Sequence, residues 1–275
     1  MMQISTNLNA LNAMKGIQAA NAVISQASER ISTGFRINHA SDDPAGLGMA
    51  NRLKTQVGSF TKVLDNLSQG TAVTQIVDDS LSKISDLLGY VRVAAVAAES
   101  STLDTADRTA YQDAIDAYIS EIDSISSNAV WNGTSLMNTS SSMTIQSGIN
   151  SGDSTSLTFD KITASELGVS SLSVSSDSNA SSAVTAIDTA IDAVSTYQAY
   201  IGAKSKVLNV QTSLANSNIT NYSVAYGRIM NADMAQETSN LAAAQIQRDA
   251  ATAMLAQSGG INKELVAYLL KSVIN

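Results

Sequence analysis

The stretch LKTQVGSFTKVLDNL at positions 53–67 decides the fold, because its apolar residues recur with alternating spacings of 4 and 3. These residues are Leu53, Val57, Phe60, Leu64 and Leu67. Side chains with such spacings lie on one face of a helix and form the seam of a coiled coil. The spacing resumes from Val77 to Ala98, and a step of 3 followed by 3 near Gly70 predicts a local stammer in the seam.

A second seam with the same spacing runs from Ile187 to Ile229. Between the seams, residues 139–181 are rich in Ser, Thr, Asn and Gly and contain short alternating pieces such as Ser156–Phe159. That composition predicts a loop or one or two small hairpins. We therefore predict a mainly α fold, in which the N- and C-terminal segments pair as a long antiparallel helical hairpin or coiled-coil rod. A small Ser/Thr-rich loop or β-hairpin forms the insert.

Local signals set the ends of the N-terminal helices. Residues 4–33 predict a first helix that stops at Gly34, which is suited to the position after a helix end. Asp43 can cap a second helix whose first residue is Pro44. This second helix is expected to reach about Glu99, because the chain contains no further proline to interrupt it.

The remaining elements follow from similar patterns. Residues 105–128 predict a third helix, and Asn132-Gly133 predicts a hairpin turn. From about 182 we expect a helix that persists to about 258, where Gly259-Gly260 should break it. Residues 261–274 then form a last amphipathic stretch.

Composition excludes several functional classes. The net charge of −8 argues against non-specific nucleic-acid binding, which requires a cationic surface. No cysteine is present, so disulfides and thiolate metal sites are excluded. We expect neither a signal peptide nor membrane insertion, because the N-terminus lacks an apolar core segment and no long apolar run exists. Aromatic residues make up only 4%, so cohesion must come from many small contacts or from neighbouring subunits.

The only histidine, His39, is followed closely by Ser41, but these residues and the adjacent acids are too close in sequence to converge as a catalytic triad. We assign the segment instead to a turn and helix cap, formed by Gly34, Arg36, Asp42, Asp43, Pro44 and Gly46. Four acids of the third helix are expected to form a solvated face: Asp113, Asp116, Glu121 and Asp123. Since no convergent polar site can be named, we expect no enzyme, no cofactor and no metal.

The apolar termini are the remaining feature. Leucines and isoleucines cluster at both ends, where single chains normally fray; they include Ile4, Leu8, Leu11, Leu265, Leu269 and Leu270. These side chains either dock on the chain's own core or are ordered only when subunits assemble, and the sequence leaves both interpretations open.

Motifs at both ends resemble those of bacterial flagellins. The segments in question are Ile4-Ser5-Thr6-Asn7, ERISTGFRIN at 29–38, ASDDPAGL at 40–47, Asn132-Gly133, IGA at 201–203, and AMLAQ at 253–257. Their common order and spacing make the resemblance specific. It covers nearly everything except residues 139–181, so the chain resembles a short flagellin that lacks most of the outer variable domains.

The resemblance implies a division of roles along the chain. Residues 1–43 and 236–275 would be terminal helices forming the inner tube of a filament. Residues 44–138 and 182–235 would form the helical rod, and 139–181 the short variable insert. The tube residues implied are Ile4, Leu8, Leu11, Ile24, Ile31, Leu241, Ile246, Met254, Leu255, Leu265, Leu269 and Leu270. Rod-surface contacts are implied for Arg92, Arg228 and Asp233.

The resemblance also implies the biology. Self is the main partner, in a homopolymer of the extracellular flagellar filament, reached through type III export without a cleaved signal peptide. An export chaperone, a cap protein and hook-associated junction proteins are the further partners, with no nucleic acid and no membrane insertion. Within the segment from Leu88 to Ala97 only Arg92 retains a family charge, which predicts weak recognition by the vertebrate flagellin receptor. A hook–filament junction protein is the alternative function.

Overall fold

A computed structural model describes residues 7–274 of the chain, with side chains described for residues 7–260. The described part contains five helices: α1 (Leu8–Thr33), α2 (Pro44–Ala98), α3 (Thr105–Asn128), α4 (Asp177–Met230) and α5 (Met234–Ile274). It also contains two antiparallel strand pairs: β1 (Val130–Trp131) with β2 (Thr134–Ser135), and β3 (Ser141–Gln146) with β4 (Ser154–Phe159). The predicted mainly α fold with a small β-hairpin insert is thus confirmed. None of the helices in the described residues has an apolar stretch long enough to cross a membrane.

The chain divides into two compact units. The terminal unit comprises Met1–Thr55 and Tyr222–Asn275, and the central unit comprises Gln56–Asn221. Each unit therefore contains segments from both halves of the chain, and α2 and α4 contribute to both.

In the terminal unit, α1 and α5 form an antiparallel coiled coil built on small residues. Ala13, Ala20 and Ala27 repeat every seven residues and are buried. Ala251 of α5 lies next to Gly16 of α1. A Cβ built on Gly16 would be in van der Waals contact with the Cβ of Ala251, at 3.5 Å. Small side chains bury little area each but allow the helix backbones to approach closely. The cohesion of this pair is therefore spread along its length.

In the central unit, α2 has an uninterrupted seam. Its buried positions advance by 3 and 4 without a break: Phe60, Val63, Leu67, Gly70, Thr74, Val77, Leu81, Ile84, Leu88, Val91, Ala95 and Ala98. The predicted stammer near Gly70 is wrong, because Gly70 and Thr74 fill the positions that apolar residues leave vacant. A Cβ on Gly70 would lie 3.1 Å from Ile145 Cγ1 of β3, so a larger residue there would require Ile145 to shift.

The same unit pairs α2 with α4 in opposite directions. Gln198 Nε2 donates to Asp78 Oδ1 at 3.3 Å, and further along α2, Arg92 Nε donates to Asp188 Oδ1 at 2.5 Å. As the residue number rises on α2 it falls on α4, so the predicted antiparallel pairing of the two seams is found within this unit.

The insert is a hairpin with one apolar face. In β4, Thr155, Leu157 and Phe159 are buried while the residues between them are exposed, as the alternating pattern predicts. The predicted Asn132-Gly133 turn joins β1 to β2, and both residues have positive φ, 46° and 78°. Positive φ at both central positions is the requirement of the tightest hairpin turn.

Two predicted helix boundaries are wrong. The expected helix 182–258 is interrupted at residues 231–233, where α4 ends and α5 begins. The expected break at Gly259-Gly260 does not occur, because α5 continues through both glycines to Ile274. A glycine inside a helix costs only about 1 kcal/mol relative to alanine, and neighbouring residues with favourable helix propensity can offset that cost.

Candidate assembly surfaces

The turn after α1 is joined to the α4–α5 break by main-chain hydrogen bonds. Gly34 ends α1 in the left-handed conformation, with φ 75°, and its carbonyl accepts from Ala232 N at 2.9 Å. Arg36 N donates to Met230 O at 2.6 Å. Phe35 and Asn231 thereby form an isolated antiparallel bridge. This bridge supplies partners for backbone groups that continuous helix would otherwise satisfy.

Side chains reinforce this turn. Arg36 Nη2 donates to Ile229 O at 2.8 Å and lies 3.9 Å from Asp43 Oδ2. Below it, Ile37 is buried against Ala50 and Met230 in a small core. The turn is therefore held by the exposed guanidinium of Arg36 and by the buried side chain of Ile37.

The two adjacent acids have different roles. Asp42 Oδ2 accepts from the backbone N–H groups of Asn38 and His39, each at 3.0 Å, and these bonds hold the pKa of Asp42 below its usual value. Asp43 Oδ1 accepts from Gly46 N at 2.8 Å, which is the geometry of a helix N-cap before Pro44. The structure thus places these predicted turn-and-cap residues together at one corner of the terminal unit.

A side chain at Gly46 would displace the capping carboxylate of Asp43. A Cβ there would lie 2.2 Å from Asp43 Oδ2 and 3.0 Å from Ile37 Cδ1. His39, at the surface, has Nε2 2.8 Å from Glu29 Oε1 of α1. Its partner is therefore a carboxylate across the turn rather than a serine.

Polar pairs close the α1–α5 coiled coil at each end. Near the turn, Arg30 Nη1 donates to Glu237 Oε1 at 3.0 Å. At the opposite end, Asn7 Nδ2 donates to Ser258 Oγ at 2.7 Å, while Asn7 Oδ1 accepts from Ala10 N and caps α1. The predicted first helix accordingly begins at Leu8 within the described residues.

The predicted tube residues fall into two groups. Half-buried ones lie along the α1–α5 pair: Ile24, Ile31, Leu241 and Leu255. Exposed ones are Leu8, Leu11, Ile246 and Met254, of which Ile246 is 69% exposed and Met254 65%. Ile4 lies outside the described residues, and Leu265, Leu269 and Leu270 lie in α5 beyond the residues whose side chains are described. Within residues 7–260, the terminal unit therefore exposes apolar side chains on both α1 and α5.

The predicted rod-surface residues have different surroundings. Arg92 forms a two-point ion pair with Asp188, with a second distance of 3.2 Å, and this hydrogen-bonded pair lowers the pKa of Asp188 and raises that of Arg92. Asp233 Oδ1 accepts from Ala235 N at 2.9 Å and from Gln236 N at 3.2 Å, so it caps α5. Arg228 is exposed near the end of α4.

Sequence reasoning missed Arg108, the buried cation of α3. Its guanidinium donates to the carbonyls of Ala98 and Ser100 and to Asp177 Oδ1, the Ser100 distance being 2.9 Å. It joins the end of α2 to the start of α4. Its only sequence signal was an arginine among acids, which equally fits a solvated helix face.

A second missed group attaches the insert to α3 and α4 within the central unit. Tyr197 OH accepts from Asp160 N at 3.0 Å, and Gln211 exchanges hydrogen bonds with Thr155 at 2.8 and 3.0 Å. Gln112 Nε2 donates to Leu172 O, and Gln112 Oε1 accepts from Val174 N in the same loop. No group of histidines and acids suited to a metal ion occurs among the described residues.

Comparison with known proteins agrees with this architecture. The chain matches the bacterial flagellin N-terminal helical region over residues 4–142 and the bacterial flagellin C-terminal helical region over residues 184–269. It is 29% identical over 260 residues to a flagellin of Halalkalibacterium halodurans, covering 94% of this chain and 96% of that protein. It is 27% identical over 285 residues to the flagellar filament 33 kDa core protein of Treponema phagedenis, covering 98% and 100%.

Other relatives are longer. The match to a flagellin of Serratia marcescens is 32% identical over 188 residues and covers 68% of this chain but 54% of that protein. The chain thus spans about half the length of this relative.

Two solved structures are similar to the fold. The crystal structure of Bacillus cereus flagellin has a TM-score of 0.51 and 25% identity, covering 59% of this chain and 94% of that one. The structure of a flagellar hook-associated protein from Vibrio parahaemolyticus has a TM-score of 0.58 at 14% identity, covering 69% and 100%, which shows the fold alone. With both helical regions matched over most of its length, this chain belongs to the bacterial flagellin family, whose members are structural subunits of the flagellar filament.

Proposed function

We propose that this chain polymerises into the flagellar filament through apolar side chains that its terminal unit leaves exposed. The observation that carries the proposal is the exposure of Leu8 and Leu11 on α1 and of Ile246 and Met254 on α5. The buried seam of these helices is already occupied by their mutual contact. Further copies of the chain would bury the exposed side chains, and that burial supplies the free energy of assembly.

The roles proposed for the segments follow from this. Residues 1–43 and 236–275 line the inner tube, residues 44–138 and 182–235 form the surrounding rod, and residues 139–181 replace the outer domains of longer relatives. The family match and the coverage of only about half of the Serratia flagellin support this arrangement. The filament is accordingly slim, with little outer decoration.

Export and partners belong to the same proposal. The chain leaves the cell through the flagellar type III apparatus without a cleaved signal peptide and resides in the extracellular filament. An export chaperone holds its C-terminal helix, a cap protein directs its addition, and junction proteins join the filament to the hook. Support comes from family membership and from the exposed apolar side chains Ile246 and Met254 of α5, which need protection before assembly.

A truncation tests the assembly proposal. Removing residues 261–275 leaves every described side-chain contact between α1 and α5 in place, including the Asn7–Ser258 pair. We expect the truncated chain to retain its helical circular dichroism and to form no filaments on seeds in electron micrographs. Normal filaments from the truncated chain would contradict the proposal. Seeded growth of the full chain into long filaments also separates it from a junction protein, which would add only a short layer.

A further inference from the structure

An open cleft lies between the insert and α4 within the central unit. Its volume is about 680 Å³, which is in the range of small-molecule sites. One wall is a single face of α4, and the other is the end of β4 with the segment that follows it. The lining residues are Asp192, Ala193, Thr196, Tyr197 and Tyr200 on α4 and Thr158, Asp160 and Ile162 on the insert.

Hydrogen bonds to the two tyrosines fix the direction of the cleft. Tyr200 OH accepts from Thr158 N at 3.2 Å, and Tyr197 OH accepts from Asp160 N at 3.0 Å. Residue numbers therefore rise along the insert as they fall along α4, so the cleft extends from Tyr200 toward Asp192. The two tyrosine rings stack with their centroids 6.0 Å apart, which makes this end of the α4 wall aromatic.

Asp160 and Asp192 place negative charge at two levels of the cleft. Both residues are exposed, and neither carboxylate has a hydrogen-bond or ion-pair partner among the described residues. Asp192 precedes Tyr197 by an offset of about 7.5 Å along α4, at about 1.5 Å per residue, and Asp160 is held beside the Tyr197 hydroxyl. Apolar Ala193 and Ile162 lie between the levels of the two carboxylates.

The cations close in sequence to the cleft do not line it. Lys161 directly follows the acid of the insert but is not a lining residue. Lys204 Nζ lies over the Tyr200 ring, 5.4 Å from its centroid. One helical turn before the acid of α4, Asp188 is already paired with Arg92. The lining described here therefore carries two negative charges, with an alkylammonium group on an adjoining ring.

Two carboxylates separated by an apolar surface match the charge pattern of a linear diamine. Such a molecule has an ammonium group at each end, so each cation can meet one carboxylate while the methylene groups lie on the apolar lining. A metal ion is a poorer match, because no group of three acids or histidines suited to it occurs among the described residues. A neutral sugar would leave both carboxylates without a counter-charge.

We propose that this cleft binds an aliphatic diamine, with one ammonium group at Asp160 and the other at Asp192. The site lies within a single chain, so the proposal does not depend on polymerisation. A bound diamine joins the segment after β4 to α4 and stabilises the central unit, because the unfolded chain has no cleft.

Calorimetric titration of the unpolymerised full chain with cadaverine, at low ionic strength, tests the proposal. Pentylamine has the same stem with a single charge, and pentanediol has the same length without charge. We expect saturable binding of cadaverine, about three- to fivefold weaker binding of pentylamine and no measurable binding of pentanediol. Equal affinities for cadaverine and pentylamine, or no saturable binding of cadaverine at millimolar concentration, would overturn the site.

Two charge variants form a matched pair. Asp192→Asn and Asp113→Asn each remove one exposed acid, but only Asp192 lines the cleft. We expect Asp192→Asn to weaken cadaverine binding about three- to fivefold and Asp113→Asn to leave it unchanged. Equal weakening by both variants would mean that cadaverine responds only to the net charge of the chain, which contradicts a defined site.

A third variant fills the cleft and keeps the charge. Ala193 lines the cleft, whereas Ala199 is an exposed residue of α4 outside it. We expect Ala193→Leu to weaken cadaverine binding at least about fivefold by occupying its space, and Ala199→Leu to leave it unchanged. Both variants should unfold at the temperature of the unmodified chain. Undiminished binding by Ala193→Leu would place cadaverine outside the cleft and overturn the proposal.

Discussion

Arg30 Nη1 lies 3.0 Å from Glu237 Oε1, and this ion pair joins α1 to α5 where the two helices enter their connecting turns. Both side chains are largely buried, with 22% and 10% of their surfaces exposed. The pair helps to set the register of an interface whose fully buried apolar residues on α1 are alanines, because a charged pair specifies position more strongly than interchangeable small side chains. Among the described side chains, Arg30 Nε is a buried atom without a hydrogen-bond partner.

We expect Glu237→Ala to destabilise the terminal unit by about 2 kcal/mol, because it leaves a mostly buried guanidinium without its carboxylate. Urea unfolding, followed by hydrogen exchange of α1 and α5, measures this. The matched control is the double variant Arg30→Met with Glu237→Leu, which removes both charges and should recover most of the loss. Equal stability of Glu237→Ala and the unmodified chain would show that the pair is not a structural tie.

Gly46 and Gly48 form a matched pair two residues apart near the start of α2. A Cβ on Gly46 would meet Asp43 Oδ2 at 2.2 Å, whereas a Cβ on Gly48 would meet nothing within 4 Å. We expect Gly46→Ala to destabilise by about 1–2 kcal/mol through loss of the cap. Gly48→Ala should stabilise by about 0.5–1 kcal/mol through helix propensity. Thermal unfolding of the two variants checks the opposite signs, and a shift of the same sign for both would refute this account of the turn.

Arg108 is predicted to be the main polar tie of the central unit. Replacing it with methionine should cost about 3 kcal/mol, because the carbonyls of Ala98 and Ser100 lose their donors in a buried setting. Asp177→Asn removes the charge of a partner that is 54% exposed and should cost under about 1 kcal/mol. Denaturant unfolding measures both. A larger loss from Asp177→Asn than from Arg108→Met would show that the ion pair matters more than the carbonyl contacts.

Tyr197 is predicted to give the central unit an alkaline limit. Burial raises the pKa of its hydroxyl to about 12 from the ordinary 10.0. Since the unfolded state ionises first as pH rises, this contribution to stability is complete below about pH 10 and is lost between about pH 10 and 12. The urea midpoint of the unmodified chain should therefore fall across that range more steeply than that of Tyr197→Phe. Parallel pH profiles for the two proteins would contradict the prediction.

The sequence predicted elements where local signals and tertiary packing agree. The third helix, Thr105–Asn128, has the predicted bounds, because Asp104 caps it by accepting from Asp107 N. The second helix ends at Ala98, one residue before its predicted end, because a turn follows directly. The hairpin at Asn132-Gly133 follows from the positive φ that these two residues tolerate.

The misses have a common physical origin in contacts between distant segments. The α4–α5 break has no proline or glycine in residues 231–233, and its backbone groups are satisfied by Gly34 and Arg36, almost 200 positions away. At Gly70 of the α2 seam, Ile145 of β3 packs against the helix in the space that a side chain would use. Arg108 binds the main-chain carbonyls of Ala98 and Ser100. Every residue has such a carbonyl, so the sequence does not indicate which ones will accept the hydrogen bonds.

The central claim is that apolar side chains exposed on the terminal unit drive polymerisation, and Ile246 tests it most directly. The measurement is the critical concentration for growth on seeds, by sedimentation, of Ile246→Asp beside Gln247→Asp, which places the same charge at the next exposed position of α5. We predict that Ile246→Asp raises the critical concentration at least about tenfold while Gln247→Asp changes it little, with both monomers as helical as the unmodified chain. Equal critical concentrations for the two variants would contradict the claim.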